Sequence, residues 1–161
     1  MVGIFYFIDE AMSLYTYTMI EIREARIEDV ATVYKLGENV SEFHTSDQAP
    51  NFWPEQVLRN SVAKDDVSFF VAQVDGEIAG FIIANLNKSL SKTEIENVFV
   101  RADFRRLGIG ASLARKVVEV AKLNKYQFIS VLTPPDDIAA IKTYEEAGFT
   151  KGETFLWLDI A

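Results

Sequence analysis

The chain contains no cysteine and a single histidine, His44, among 161 residues. Without thiols there can be no disulfide, no thiolate zinc site and no cysteine nucleophile. One imidazole cannot assemble a histidine metal cluster, so no metal is expected, and His44 reads as a loop residue. A serine–histidine pair through His44 is formally open, but no G-x-S-x-G elbow occurs. No apolar run reaches the roughly 20 residues that a helical bilayer span needs. The run Val2–Ile8 stops at Asp9–Glu10 and lacks the basic flank of a signal peptide. The expectation is a cytoplasmic protein with no membrane partner. Basic residues are the minority, 16 against 24 acidic ones, for a net charge of -8. That balance disfavours non-specific nucleic-acid binding and suits a cationic partner.

What is present is the material of one globular domain: 49% hydrophobic and 25% charged residues, enough to build a core. No repeat, low-complexity tract or linker interrupts it. The stretch 13–25 alternates, with Leu14, Thr16, Thr18, Ile20 and Ile22 on one face, as a strand does; Val2–Ile8 could pair with it as a hairpin. Ile27, Val30, Ala31, Val33 and Leu36 recur at helical spacing. After the polar loop 41–53, a second helix is expected with Pro54 at its first position. Two apolar runs, 67–74 and 77–86, flank Asp75–Gly76, a strong hairpin signal. A strand over 93–100 follows, then a helix over 108–124 with Ile109, Leu113, Val117, Val120 and Ala121 on its buried stripe. A strand over 128–133 is stopped by Pro134–Pro135. A helix within 136–149 is closed by Gly148, and 153–160 forms a last strand. The order β, α, α, β, β, β, α, β, α, β predicts a mixed α/β domain with one strand–helix–strand crossover.

That crossover holds the densest chemical signal. RRLGIGASLARK, from Arg105 to Lys116, lies where a strand ends and a long helix begins. A helix N-terminus carries unpaired N–H groups and the positive end of the dipole, so anions bind there. Gly108 and Gly110 offer close approach to the main chain. From Arg101 to Lys116 stand Arg101, Arg105, Arg106, Arg115 and Lys116 against Asp103 alone, a local +4 in a chain of net charge -8. The plainer reading is a tight turn with solvated arginines. A dinucleotide fingerprint fits less well, since the third glycine and the acidic residue ending the next strand are missing. No G-K-[ST] occurs, which removes a Walker-type loop.

These residues resemble those of the GNAT N-acetyltransferases. Arg105, Gly108 and Gly110 match the family's R-x-x-G-x-G/A acyl-CoA motif at a strand-to-helix junction. Ala140, Tyr144, Glu145, Gly148 and Phe149 match its second signature, A-x-x-x-Y-E-x-x-G-F, in the expected order. The resemblance runs from Met19 to the C-terminus, so residues 19–161 are read as a single N-acetyltransferase domain. Residues 1–18 are read as an extension, either an added strand or a subunit contact that would make the protein a homodimer. Its IFYF cluster should be covered.

The resemblance implies the GNAT-type acyl-CoA N-acyltransferase fold. That fold is a mixed, mostly antiparallel sheet with helices on both faces and a cleft between its fourth and fifth strands. It implies acetyl-CoA as co-substrate, its pantetheine arm along the main chain of Val98, Phe99 and Val100. Its pyrophosphate would lie on the amides of Arg106, Leu107, Gly108, Ile109, Gly110 and Ala111, with Arg105 also among the cofactor-binding residues. Ala102 stands where many members have proline. Asp137 stands where asparagine is common in the cofactor wall, and a carboxylate has no amide donors.

The implied reaction is direct transfer of acetyl from the thioester to a primary amine, of a small molecule, a peptide or a protein. The attacking ammonium must lose a proton. Glu94 and Glu96 share one face of an unbulged strand, and either could act as base, directly or through water; Glu94 fits the family's position best by spacing. Both could equally be solvent-facing strand residues. Amides near Val98 and Phe99 could stabilise the oxyanion. Tyr144 matches the family's proton donor to the leaving thiolate, although packing beside Ala140 and Ile141 would also explain it. Phe52 and Trp53 border the acceptor side, as a gate or as packing. A non-catalytic acyl-CoA sensor with the same cleft is the alternative.

Overall fold

The computed structural model describes residues 19–43 and 52–152. The proposed N-terminal hairpin, His44 and the last strand at 153–160 lie outside the described residues. Within them the order is β1 (Ile20–Glu24), α1 (Val30–Gly37), α2 (Glu55–Ser61), β2 (Val67–Val74), β3 (Glu77–Asn87), β4 (Lys92–Val100), α3 (Ile109–Leu123), β5 (Phe128–Val131) and α4 (Ile138–Glu146). The strands lie side by side in chain order as one sheet. β1 to β4 pair antiparallel, while β5 runs parallel to β4. That parallel pairing requires a crossover, and α3 supplies it.

Alternation along the strands divides the apolar residues between two cores. Ile20, Phe70, Ala72, Ile82, Ala84 and Ile95 face α3, which contributes Ile109, Leu113, Ala114 and Val117, with Tyr144 of α4. Phe69, Val71, Phe81 and Ile83 face the other way, onto Val30 and Val33 of α1, Leu58 of α2, and Phe52. Helices therefore cover both faces. The β2–β3 turn has Asp75 at φ 49° and Gly76 at φ 91°, the left-handed pair that a two-residue hairpin requires.

Three local expectations are corrected. Ile27 and Ala31, read at helical spacing with Val30 and Val33, are exposed while those two are buried. Ile27–Asp29 forms a 3-10 turn, whose tighter winding puts Ile27 out of phase with α1. Pro54 precedes α2 as its cap residue, with ψ 142°, so the helix starts at Glu55. Likewise α3 starts at Ile109, because Gly108 at φ 71° is still outside the helix.

The feature that positions the site is a bulge in β4. Ile83 pairs with Asn97 and Ala84 with Ile95, leaving Glu96 as the extra residue. The same point ends the pairing with β5, whose last partnered residues are Ile95 and Val131. Beyond it, Glu96–Val100 has a strand neighbour only in β3 among the described residues, and a gap opens between the fourth and fifth strands.

Candidate active site

The loop entering α3 has alternating backbone hands. Arg105 is extended, Arg106 lies at φ 66° and Gly108 at φ 71°. The first α3 amide drawn back into the helix is that of Ser112, which donates to the Gly108 carbonyl at 3.0 Å. The amides of Ile109, Gly110 and Ala111 therefore have no partner in the preceding turn. Gly108 carries no side-chain cap, and a Cβ built on it would meet nothing within 4 Å. Open space over a run of free amides is what an anion needs. Gly110 also has a packing role that its spacing did not suggest. A Cβ there would stand 2.9 Å from Thr143 Cγ2, so its bareness lets α4 pack against α3.

The positive charge is smaller than the residue count implied. Arg101 is held by Glu77 at 3.1 Å and Asp103 at 2.6 Å and lies over the Phe104 ring. Arg115 donates to the Glu146 carbonyl and Ser112 Oγ, and Lys116 pairs with Glu119 at 3.0 Å. Arg105 donates from Nε to the Val100 carbonyl at 3.1 Å, tying the loop to the end of β4. Arg106 is exposed, and its side chain makes no hydrogen bond or ion pair among the described residues.

Along β4 the Arg101 amide donates to the Ala79 carbonyl at 2.9 Å, towards β3. Backbone groups alternate in direction along an antiparallel strand. Phe99 therefore turns its N–H and C=O to β3, and those of Val98 and Val100 point into the gap. This corrects the grouping of Phe99 with its neighbours: its ring lies on the α1/α2 face, 5.8 Å from Phe81. The side chains of Val98 and Val100 pack with Leu107 against the α3 core.

The same bulge arranges the carboxylates. Glu94 is paired with Asn85, and Asn85 Nδ2 donates to Glu96 Oε1 at 2.7 Å, so both glutamates share the Asn85 face. That is the α1/α2 side. Glu94 sits within the closed part of the strand, bonded to Lys92 Nζ at 3.1 Å. Glu96 is exposed, at the mouth of the gap. The extra residue also brings Asn97 to this face, where its Oδ1 accepts from the Trp53 indole N–H at 2.9 Å. Phe52, by contrast, is core: its ring lies 5.5 Å from Phe81 and 5.6 Å from Phe43.

Tyr144 is on the opposite face, 9% exposed and 5.7 Å from the Phe149 ring. Burial, and secondarily the charge of Asp137, pushes its phenol up to about 12. Asp137 caps α4, its Oδ1 accepting from the Ala140 amide at 2.9 Å. A carboxylate suits that helix N-terminus, a local reason for aspartate at this position. The sheet thus has a phenol donor on one face, carboxylates on the other, and a gap through which a thin chain could pass between them.

Residues 33–149 match the acetyltransferase (GNAT) family. The chain belongs to that family. It is 27% identical over 153 residues to an uncharacterized N-acetyltransferase of Methanocaldococcus jannaschii, covering 89% of this chain and 66% of that one. It is 38% identical over 81 residues to the N-acetylaspartate synthetase of Xenopus tropicalis, covering 50% of this chain and 30% of that one. Among solved structures, the PaiA N-acetyltransferase of Thermoplasma acidophilum in complex with coenzyme A superposes with a TM-score of 0.71. It is 20% identical, over 84% of this chain and 92% of that one. At that identity the likeness is one of fold, and the fold is the GNAT acyl-CoA N-acyltransferase fold.

Proposed function

We propose that the protein transfers an acetyl group from acetyl-CoA to a primary amine by direct attack in a ternary complex. The observation that carries this reading is the coincidence of three features at one end of β4. The strand parts from β5, the backbone of Val98 and Val100 faces the gap, and the free amides of Ile109–Ala111 lie beside it. An extended amide-bearing arm can add to the open strand edge, and a diphosphate can rest on the amides with Arg106 as counter-charge.

The gap-facing amide of Val98 is the donor we assign to the developing oxyanion. The acceptor amine arrives charged, with a reference pKa of about 10.4 for a lysine-like group. Glu96 takes its proton, directly or through water: it is exposed at the mouth of the gap and oriented by a neutral amide, whereas Glu94 is already engaged by Lys92. Tyr144 stabilises the leaving sulfur. With its phenol pushed up to about 12 and a thiol near 8.5, complete proton transfer would cost about 5 kcal/mol at roughly 1.4 kcal/mol per unit. The useful contribution is therefore a hydrogen bond that shortens as the C–S bond breaks, not full protonation.

The test is a CoA-release screen with acetyl-CoA and polyamines, amino acids, aminoglycosides and peptide N-termini. Steady release with at least one amine is expected. Tight CoA binding with no turnover across the panel would assign the protein to the sensor class instead.

A further inference from the structure

Both residues of the β4 bulge are tethered through their side chains, and from opposite directions. Glu96 is held from within the sheet by Asn85 of β3 at 2.7 Å. Asn97 is held from outside it by Trp53, 44 residues away in sequence, at 2.9 Å. Trp53 has little freedom of its own. It lies between Pro54, whose backbone caps α2, and Phe52, which is buried at 7% exposure in the Phe43–Phe52–Phe81 aromatic contacts. A bulge is an intrinsically adjustable point, since its extra residue has no ladder partner. Two side-chain bonds on consecutive residues fix the local twist and hence where the Glu96 carboxylate points.

We propose that Trp53 and Asn97 form a latch that sets the β4 bulge and thereby aims the Glu96 carboxylate at the mouth of the gap. Trp53 is then a positioning residue for acetyl transfer, acting through the strand and not by touching the acetyl group. This rests on the reading of Glu96 as base, so the test has one arm that needs no acceptor.

In that arm the side-chain amide signals of Asn85, which report the Glu96 carboxylate, are followed by nuclear magnetic resonance in the full chain. Trp53→Phe keeps the ring and loses the donor; Asn97→Ala loses the acceptor. Both variants, checked for folding by thermal melting, should move the Asn85 Nδ2 signals in the same direction, and the double variant should move them no further. Asn85 signals unchanged in either folded variant would overturn the latch. Should Trp53→Phe fail to fold, Asn97→Ala decides alone.

The kinetic arm uses whichever amine of the release screen turns over. There Trp53→Phe should lower kcat about tenfold with acetyl-CoA affinity unchanged, and have little further effect in a Glu96→Gln background. A merely structural tryptophan would lower kcat equally in both backgrounds, which would also overturn the proposal. Absence of turnover in the wild-type protein sinks the acetyl-transfer reading and leaves the resonance arm to decide the latch.

Discussion

The two halves of β4 differ in what surrounds them more than in what they are made of. Lys92–Ile95 has a strand on either side, and its backbone is committed to both ladders. Among the described residues Glu96–Val100 keeps only β3, and alternate backbone groups face a gap. One unpaired residue separates them. It ends the parallel pairing, exposes the edge that the proposed co-substrate would use, and turns Asn97 and Phe99 to the face that already carries both glutamates. The lesson is that a site can be made by interrupting a regular element at one residue, leaving the composition of the element almost unchanged.

The sharpest way to break this comparison is to neutralise one glutamate in each half. Glu96→Gln should lower kcat by about 10²- to 10³-fold, within the usual range for a lost general base. Glu94→Gln, which removes only the partner of Lys92, should cost less than about threefold. Steady-state rates on a common amine decide between them, and equal losses would erase the distinction between the halves. Next in size is the loop that the open half faces. Gly108→Asp should weaken CoA binding by about 100-fold, or about 2.7 kcal/mol, because it puts a carboxylate over the free amides. Its melting temperature should change little, since aspartate tolerates the left-handed region better than most residues. Gly110→Ala should do the reverse, costing about 1–3 kcal/mol of stability through overpacking against Thr143. Calorimetry of CoA binding beside thermal melts separates the two glycines; if Gly108→Asp binds CoA normally, the phosphates lie elsewhere.

Much of the fold was legible because each element carries its own period. The α3 stripe, the Asp75–Gly76 turn and the alternation of β2 and β3 are all local signals, and the loop from Arg105 to Ala111 carries its glycines in plain view. The bulge is not local. Glu94-Ile95-Glu96-Asn97-Val98-Phe99-Val100 alternates acceptably with or without an extra residue, and no residue type marks the slip. Its position is set by which residues of β3 lie opposite. The grouping of Phe99 with Val98 and Val100 came from the family resemblance, and the ladder direction corrects it. Counting from Glu94 as if the strand were unbulged put the two glutamates on one face, which the bulge leaves true. On the same count Asn97 was passed over. The one available hint was a polar side chain at the head of the apolar run Val98–Val100. The charge tally from Arg101 to Lys116 failed differently: formal charge is additive in sequence, but Glu77 and Glu119 neutralise two of those bases in space.

Across the sheet from the glutamates, the role proposed for Tyr144 predicts a smaller and more specific effect. Tyr144→Phe should lower kcat about tenfold, or about 1.4 kcal/mol, near the lower end of the roughly 1.5–3 kcal/mol of one hydrogen bond to a charged group, with CoA affinity unchanged. The phenol pushed up to about 12 stays protonated throughout the working range. Wild-type kcat should therefore show no alkaline fall from this residue below about pH 10, the ordinary phenol value. Equal turnover in wild type and variant would leave Tyr144 as packing only.

The α1/α2 face also carries a carboxylate with no expected part in the chemistry, and it provides the control for Glu96. Arg23 grips Asp29 through two bonds of 2.7 and 2.9 Å, and the Arg26 amide adds a third at 2.7 Å. Burial pushes the Asp29 carboxyl up, but the Arg23 hydrogen bonds, with the Arg26 amide, outweigh it and hold it below the usual carboxylate range. A carboxyl depressed in the folded state binds its proton less readily there than in the unfolded chain. Its stabilisation is therefore complete above the unfolded value, near 4, and is lost as pH falls through the folded one. Melting temperature measured from neutral pH downwards should fall more steeply below about pH 4 in wild type than in Asp29→Asn. At neutral pH the variant should be less stable but retain the wild-type kcat. The activity change should be the smallest of the set, because the pair lies at β1 and not at the interrupted strand. A large loss of turnover in folded Asp29→Asn would mean that charge anywhere on this face matters, and that the bulge does not single out Glu96.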